Sequence, residues 1–381
     1  MEKFPKKLWI KLERRKAENS LRHLNFPGTV VDFSSNDYLG FSKESRISDR
    51  AGEILRRSTE NGLGATGSRL LTGNSQMYNE LEAIIAKFHS SPSALVFNSG
   101  YATNLGFFGS VPQRGDYILY DELAHASIRE GITLSKAKAY KFKHNNLREL
   151  EDLIDRLERS RDSEIYVVTE SVFSMDGDSP DLNELSALCK RSHCRLIVDE
   201  AHAIGISQRG LVVEAGIEGE VFARIVTFGK ALGSHGAAVL CSETMKSYLV
   251  NFARSFIYTT GLPPHTLASI RSAYQYLDSD PGMKRIECLK SNIAILRRYI
   301  GEYDCDELFL PSESAIHSVV IPGNKEVKTI SDKLLKNGFD VRPILSPTVP
   351  IGKERLRICL HSFNTEKEIE QVIQRIAIFA T

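Results

Sequence analysis

Leu182-Asn183-Glu184-Leu185-Ser186-Ala187-Leu188-Cys189-Lys190-Arg191-Ser192-His193-Cys194-Arg195-Leu196-Ile197-Val198-Asp199-Glu200-Ala201-His202 carries the chain through one helix and into one strand. Leu182 to Lys190 reads as the helix, and Cys189, His193 and Cys194 mark its end. Arg195 to Val198 is a continuous apolar run, closed by the acid Asp199 with His202 three residues on. The cysteine and histidine pattern lacks a second ligand pair at finger-like spacing, so it is read as a turn and not as a zinc site.

The same alternation extends outward from about residue 78. Ala94 to Phe97, Tyr117 to Tyr120, Ala139 to Phe142, Ile165 to Thr169, Arg224 to Phe228 and Ala237 to Cys241 read as strands, with helices such as Leu147 to Leu157 between them. Several strands are apolar throughout, as expected of a mainly parallel α/β sheet covered on both faces. Such sheets bind ligands beyond the carboxyl ends of their strands.

Beyond Pro263-Pro264 the pattern changes. A helical stretch from about 265 to 300 precedes strand-like runs at Ala315 to Ile321, Asp340 to Pro343 and Arg355 to Leu360. A last helix opens at a Thr365/Glu368 capping box, with Ile369, Val372, Ile373 and Ile376 on one face. The expected organisation is an N-terminal helix and arm (1–40), a large domain (41–262) and a small C-terminal α+β domain (263–381). Leu8, Leu12, Ala17, Leu21 and Leu24 suggest that the N-terminal helix is amphipathic.

Composition narrows the function. The 381 residues are 42% hydrophobic and 25% charged, with a net charge of +1, which is ordinary for a soluble protein and offers no footprint for nucleic acid. Six cysteines without framework spacing suit a reducing cytoplasm. Met1 to Arg22 is basic but lacks the apolar core of a signal peptide, and no segment has membrane-spanning length. A cytoplasmic enzyme with no nucleic-acid or membrane partner and no metal is expected.

Two nucleotide readings fail. Asp199-Glu200-Ala201-His202 matches a helicase motif, but the Gly-Lys pairs continue as Gly229-Lys230-Ala231 and Gly352-Lys353-Glu354 and not as a phosphate loop. Gly62-Leu63-Gly64-Ala65-Thr66-Gly67 spells the dinucleotide fingerprint, yet the charged helix-like stretch Glu53 to Glu60 precedes it where a strand is required. It is read as a glycine-rich loop.

What remains centres on Lys230, in the turn Thr227-Phe228-Gly229-Lys230-Ala231-Leu232-Gly233. A lysine so held, downstream of an acid and a histidine at a strand end, suggests imine chemistry with pyridoxal 5'-phosphate. Asp199 reads either as a helix-capping acid or as the partner of the cofactor's pyridine nitrogen, which it would keep protonated. His202 is an ordinary loop residue or a contact to the ring hydroxyl. Phe97 to Asn104 is a plain strand-to-helix turn or a phosphate seat, with Gly100 allowing close approach, Tyr101 leaning on the cofactor and Thr227, Thr259 or Thr260 adding a hydroxyl. His125 starts a helix or stacks on the ring.

Five ordered motifs resemble the α-oxoamine synthases, fold-type I pyridoxal-phosphate enzymes of the aspartate aminotransferase-like fold. They are Ser34-Ser35-Asn36-Asp37-Tyr38-Leu39-Gly40, Gly67-Ser68-Arg69 with Thr72-Gly73-Asn74, Ser174-Met175-Asp176-Gly177-Asp178, Asp199-Glu200-Ala201-His202 and Thr227-Phe228-Gly229-Lys230. The resemblance spans about residues 8 to 375. It implies that Lys230 forms the imine with the cofactor, Asp199 pairs with the ring nitrogen, and His202 and Ser174 meet the ring hydroxyl side. His125 would stack on the ring, while Gly100, Tyr101 and Thr227 hold the cofactor. Thr260 would reach the phosphate of a neighbouring subunit, because these enzymes are homodimers with interfacial sites. Asn36 and Arg357 would meet carboxylate or keto groups of the substrate, and Thr348 and Arg22 the acyl substrate.

Within the family, Gly236 to Ser242, Phe252-Ala253-Arg254 and Pro347-Thr348-Val349-Pro350 are most similar to members that join L-alanine to a pimeloyl thioester, from CoA or a carrier protein, with loss of CO2 in biotin synthesis. Relatives using glycine with acetyl-CoA, making 5-aminolevulinate, or acylating serine share the chemistry. A catalytically silent module that binds the cofactor is an alternative of another class. One departure stands out: the loop Arg342 to Pro350 is longer than the Arg-Pro-Pro-Thr-Val-Pro of many members, which leaves the role of Arg342 unassigned.

Overall fold

The computed structural model describes residues 4–24, 28–58, 62, 64–158 and 160–380. Leu63 of the glycine-rich run, residues 59 and 60 of the stretch before it and the first three residues of the basic N-terminus lie outside the described residues. The chain forms two compact units. The larger comprises Asn36–Ser174 and Asp178–Glu287; the smaller gathers the segment up to Ser35, Met175–Gly177 and the segment from Cys288.

The larger unit is built on seven strands: β1 (Ser93–Phe97), β2 (Tyr117–Asp121), β3 (Lys138–Phe142), β4 (Ile165–Glu170), β5 (Arg195–Asp199), β6 (Ala223–Thr227) and β7 (Ala237–Cys241). Their order is β1-β7-β6-β5-β4-β2-β3. All neighbours run parallel except β7, which is antiparallel to β1 and β6. Side chains alternate between the two faces of a strand. Val168, Ile197 and Ile225 thus join Phe97, Phe107 and Ile128 in one apolar cluster, while Val167, Leu196 and Val198 join Leu119, Leu150 and Leu185 in another. Each such buried aliphatic side chain stabilises the fold by roughly 1.5–3 kcal/mol. At the edge, β3 exposes Lys138 to Lys141 and buries only Phe142; the lysines discourage pairing with another chain.

The helical stretch expected from 265 to 300 is two helices, Pro264–Leu277 and Asp280–Glu302. The corner is tight: a Cβ on Gly282 would lie 2.1 Å from the carbonyl oxygen of Tyr276. Pro281 favours the opening turn of the second helix, where its missing N–H costs nothing.

In the smaller unit β8 (Ile316–Val320), β9 (Arg342–Ile344) and β10 (Arg355–Cys359) form an antiparallel sheet in the order β9-β10-β8. Val31–Asp32 pairs in parallel with Phe339–Asp340. The capping box at the last helix forms, with Thr365 N–H donating to Glu368 Oε2 at 2.8 Å and Glu368 N–H to Thr365 Oγ1 at 3.3 Å. The N-terminal helix ends at Ala17, short of Leu21 and Leu24, and none of its residues is buried. Among the described residues no helix is long and apolar enough to cross a membrane, and no cluster of side chains suits a metal.

Candidate active site

Lys230 lies on the turn between β6 and β7. Phe228 N–H donates to Gly236 O at 2.9 Å, Ser234 N–H to Phe228 O at 2.7 Å and Gly233 N–H to Lys230 O at 2.8 Å. Gly233 has φ +57°, and a Cβ there would sit 2.2 Å from the backbone nitrogen of Ser42, so only glycine fits. The turn is thereby fixed, and Lys230 Nζ stands 2.6 Å from His202 Nε2. His202 is buried, and its Nδ1 is 2.7 Å from the hydroxyl of Tyr38, which in turn donates to Asn36 Oδ1 at 3.1 Å. One direction satisfies every link: the Lys230 ammonium donates to Nε2, Nδ1–H donates to Tyr38, and Tyr38 donates to Asn36.

Asp199 closes β5 and is 5% exposed. Its Oδ2 accepts from Asn104 Nδ2 at 3.0 Å and its Oδ1 from Ala201 N–H at 3.0 Å. Asn104 also donates to Ser127 Oγ at 3.0 Å, which lies 2.8 Å from His125 Nδ1. His125 N–H donates to Glu170 Oε1 at 2.6 Å, and Glu170 is the register partner of Asp199 across β4 and β5. Burial, with the nearby charges of Lys230 and Arg129, lowers the His125 pKa against the opposing pull of Asp199, so its ring is neutral at neutral pH. Burial, reinforced by the charge of Asp199, pushes the Glu170 carboxyl up to about 8.

The phosphate-seat candidates also converge. Gly100 opens the helix Gly100–Ser110 directly after β1, capped by Ser99 Oγ, which accepts from Ala102 N–H at 3.1 Å. A Cβ on Gly100 would lie 3.8 Å from Thr227 Oγ1, so the two are neighbours, and the protein itself does not demand glycine there. Tyr101 is 43% exposed and its hydroxyl is hydrogen-bonded to Glu130. Thr260 is exposed; its carbonyl accepts from Asn98 Nδ2 at 2.6 Å, and Gly261 N–H after it donates to Gly67 O at 3.0 Å in the glycine-rich loop. Ser174 is buried in the loop after β4.

The remaining candidates belong to the smaller unit. Arg357 lies on β10, opposite Arg342 and Ser318, and is buried. Arg22 Nη2 donates to Thr348 Oγ1 at 3.4 Å. Arg342 is paired with Asp340, with Nε at 2.7 Å from Oδ1. Sequence reasoning did not single out Tyr38, Asn104, Ser127 or Glu170. Asn104 lies one helical turn after Gly100, and Glu170 closes its strand just as Asp199 does, so both carried a positional signal.

The sequence matches the aminotransferase class I and II family over residues 28–376. The 8-amino-7-oxononanoate synthase of Emericella nidulans is 40% identical, with 96% of this chain and 93% of that protein covered. Among solved structures, 8-amino-7-oxononanoate synthase from Francisella tularensis is 30% identical with a TM-score of 0.77, covering 92% of this chain and 97% of its own. A serine palmitoyltransferase carrying pyridoxal phosphate is 25% identical with a TM-score of 0.87, covering 98% and 96%. The chain belongs to the class I and II aminotransferase family, the fold-type I enzymes that work with pyridoxal phosphate. Within it the chain stands in the α-oxoamine synthase branch, beside the 8-amino-7-oxononanoate synthases.

The residues fit the cofactor. A buried carboxylate is costly without a cation, and the hydrogen bonds reaching Asp199 come from neutral donors; a protonated ring nitrogen would suit it. A lysine amine, a buried histidine and a capped helix N-terminus beside a threonine hydroxyl complete the donor set.

Proposed function

We propose that this chain condenses L-alanine with a pimeloyl thioester, of CoA or a carrier protein, to give 8-amino-7-oxononanoate, CO2 and the free thiol in biotin biosynthesis. The observation that carries the chemistry is the amine of Lys230 at 2.6 Å from buried His202, in the unit where the hydrogen bonds to the Asp199 carboxylate come from the neutral donors Asn104 and Ala201. Pyridoxal phosphate, when bound, supplies the electron sink that makes the Cα of alanine a carbon nucleophile.

The chain's own groups do the rest. Lys230 holds the cofactor covalently, then its freed amine takes the Cα proton and returns one after CO2 has left. Donation from Lys230 to His202 Nε2 aims the amine, and the Tyr38 hydroxyl fixes the histidine tautomer. Asp199 holds a proton on the ring nitrogen, the neutral His125 stacks on the ring, and Ser174 meets the ring hydroxyl side. Gly100, Tyr101 and Thr227 bind the phosphate end. Asn36 and Arg357 take the carboxylate or keto groups of the substrate, and Arg22 with Thr348 the far end of the acyl chain.

The active form is a homodimer in which Thr260 serves the neighbour's site. Leu71 is 82% and Tyr258 77% exposed, on two segments joined by the Gly261–Gly67 hydrogen bond; so much bare apolar surface favours a second copy over it.

The decisive assay mixes the purified enzyme, loaded with pyridoxal phosphate, with pimeloyl-CoA or pimeloyl-carrier protein and alanine, glycine or serine, and follows thiol release. Release with pimeloyl donors and alanine is expected. Release with acetyl-CoA and glycine, but not with pimeloyl donors and alanine, overturns the substrate assignment.

A further inference from the structure

We propose that His144 is a positioning residue for the cofactor site, tying the loop that carries Ser174 to the turn after β2 that leads into His125. The proposal rests on the reading that Ser174 meets the ring hydroxyl side of the cofactor.

The geometry comes from both ring nitrogens. His144 Nδ1 lies 3.0 Å from Asp121 Oδ1, and Nε2 lies 2.7 Å from Asp178 Oδ2. Ionised carboxylates only accept, so both nitrogens donate and the ring is an imidazolium. Burial opposes that charge, but the hydrogen bonds and charges of the two carboxylates outweigh it and push the pKa up to about 10. Asn145 reinforces both contacts, its N–H donating to Asp121 Oδ2 at 2.8 Å and its Nδ2 to Asp178 Oδ2 at 2.8 Å.

Each end of this bridge reaches a cofactor-facing residue. Asp121 is fully buried at the end of β2, and its carbonyl accepts from Ala124 N–H at 2.9 Å, which shapes the turn into His125. Asp178 accepts at its carbonyl from Phe173 N–H at 2.9 Å, which closes the loop around Ser174. The Phe173 ring stands edge-on to His144, with centroids 4.4 Å apart and planes at 89°. A histidine and a serine far apart in sequence, His125 and Ser174, are thereby set by one charged bridge through His144. An arrangement built only for stability needs no such link to the loop of Ser174.

The test reads the visible absorbance of the bound cofactor against pH in wild type, Ser174→Ala, His144→Gln and the double variant. Loss of a hydroxyl donor to the ring oxygen raises the midpoint of that transition. Ser174→Ala is expected to move it up by about one unit, a tenfold change in the equilibrium. His144→Gln should move it the same way, and the double variant no further than Ser174→Ala alone. If Ser174→Ala shifts the midpoint while His144→Gln leaves it unchanged, or if the two shifts add, the inference is overturned. If Ser174→Ala itself shifts nothing, the reading of Ser174 fails and takes the inference with it. Asp178→Asn cuts the same bridge from its other end and serves if His144→Gln does not fold; an unshifted midpoint there is equally fatal.

Discussion

Asp121 and Asp199 close β2 and β5 of one parallel sheet, and both are buried, at 0% and 5% exposure. Asp121 is met by a cation of its own chain, His144 at 3.0 Å, and by the N–H groups of Leu123 and Asn145. Asp199 receives the amide of Asn104 and the N–H of Ala201, both neutral. Burying a carboxylate is expensive unless its charge is met. Where the protein hydrogen-bonds a cation to the acid, as at Asp121, the acid builds structure; where the hydrogen bonds are neutral, as at Asp199, the acid is left able to meet a ligand's charge, as proposed above. Between them β4 ends in Glu170, which escapes the same problem by holding its proton to about pH 8.

The largest effect is expected at Lys230, the group on which the ligand reading of Asp199 depends. Lys230→Ala should abolish both turnover and the visible absorbance of the bound cofactor; full turnover in that variant breaks the whole assignment. Next come the two acids themselves. Asp199→Asn should lower kcat by on the order of 10²- to 10³-fold, the scale of losing one preorganised electrostatic contact, with an unfolding midpoint of the cofactor-free protein at or above that of wild type, because a costly buried charge is removed. Asp121→Asn should show the reverse emphasis, destabilising by about 3 kcal/mol because it leaves a charged partner behind. Denaturant unfolding alongside steady-state kinetics separates the two, and similar profiles for both variants would erase the distinction.

How much of this was legible in the sequence follows from the same contrast. Apolar runs ending in polar residues were enough to place the inner strands of the large sheet, because burial on both faces leaves no alternation to misread, whereas the exposed edge strand β3 was placed without that signal. They also marked Asp199, His202 and Lys230. Partnership between distant residues was not legible: nothing in the order of residues pairs Asp121 with His144 or brings Tyr38 to His202. Those contacts depend on which strand ends lie side by side. The break at Asp278-Ser279 was missed although Asp278-Ser279-Asp280-Pro281-Gly282 is poor helix sequence, because the apolar helical pattern on either side was read as continuous; the glycine that permits the corner acts through a backbone contact.

Arg22, unlike Asp199, is exposed to solvent, and its hydrogen bond goes to the neutral hydroxyl of Thr348 at 3.4 Å. If it too awaits a ligand charge, that charge is the distal carboxylate of the pimeloyl group. Arg22→Ala should raise KM for the pimeloyl donor by about tenfold, the scale of one charge-assisted hydrogen bond, and leave kcat nearly unchanged. The same loss with an acyl donor lacking that carboxylate would show that Arg22 recognises something else.

The smallest effect is at Glu170, and it sharpens the comparison by pH. Its folded-state pKa of about 8 lies above the ordinary value of 4.5 because burial, with the charge of Asp199 beside it, disfavours ionisation. The folded protein therefore holds more protons than the unfolded chain between these values. The stabilisation is complete below about 4.5 and is lost as pH rises through about 8. Glu170→Gln cannot ionise and can still accept from the His125 N–H, so it should match wild type near pH 5 and lose less stability towards pH 9. The measurement is the unfolding midpoint of the cofactor-free protein across that range, because a bound ring cation would offset the charge of Asp199 and weaken the effect. Parallel pH profiles for the two proteins would mean that Glu170 is already ionised beside Asp199. The strand ends would then carry one more buried anion, with Lys230 as the nearby positive charge that favours it.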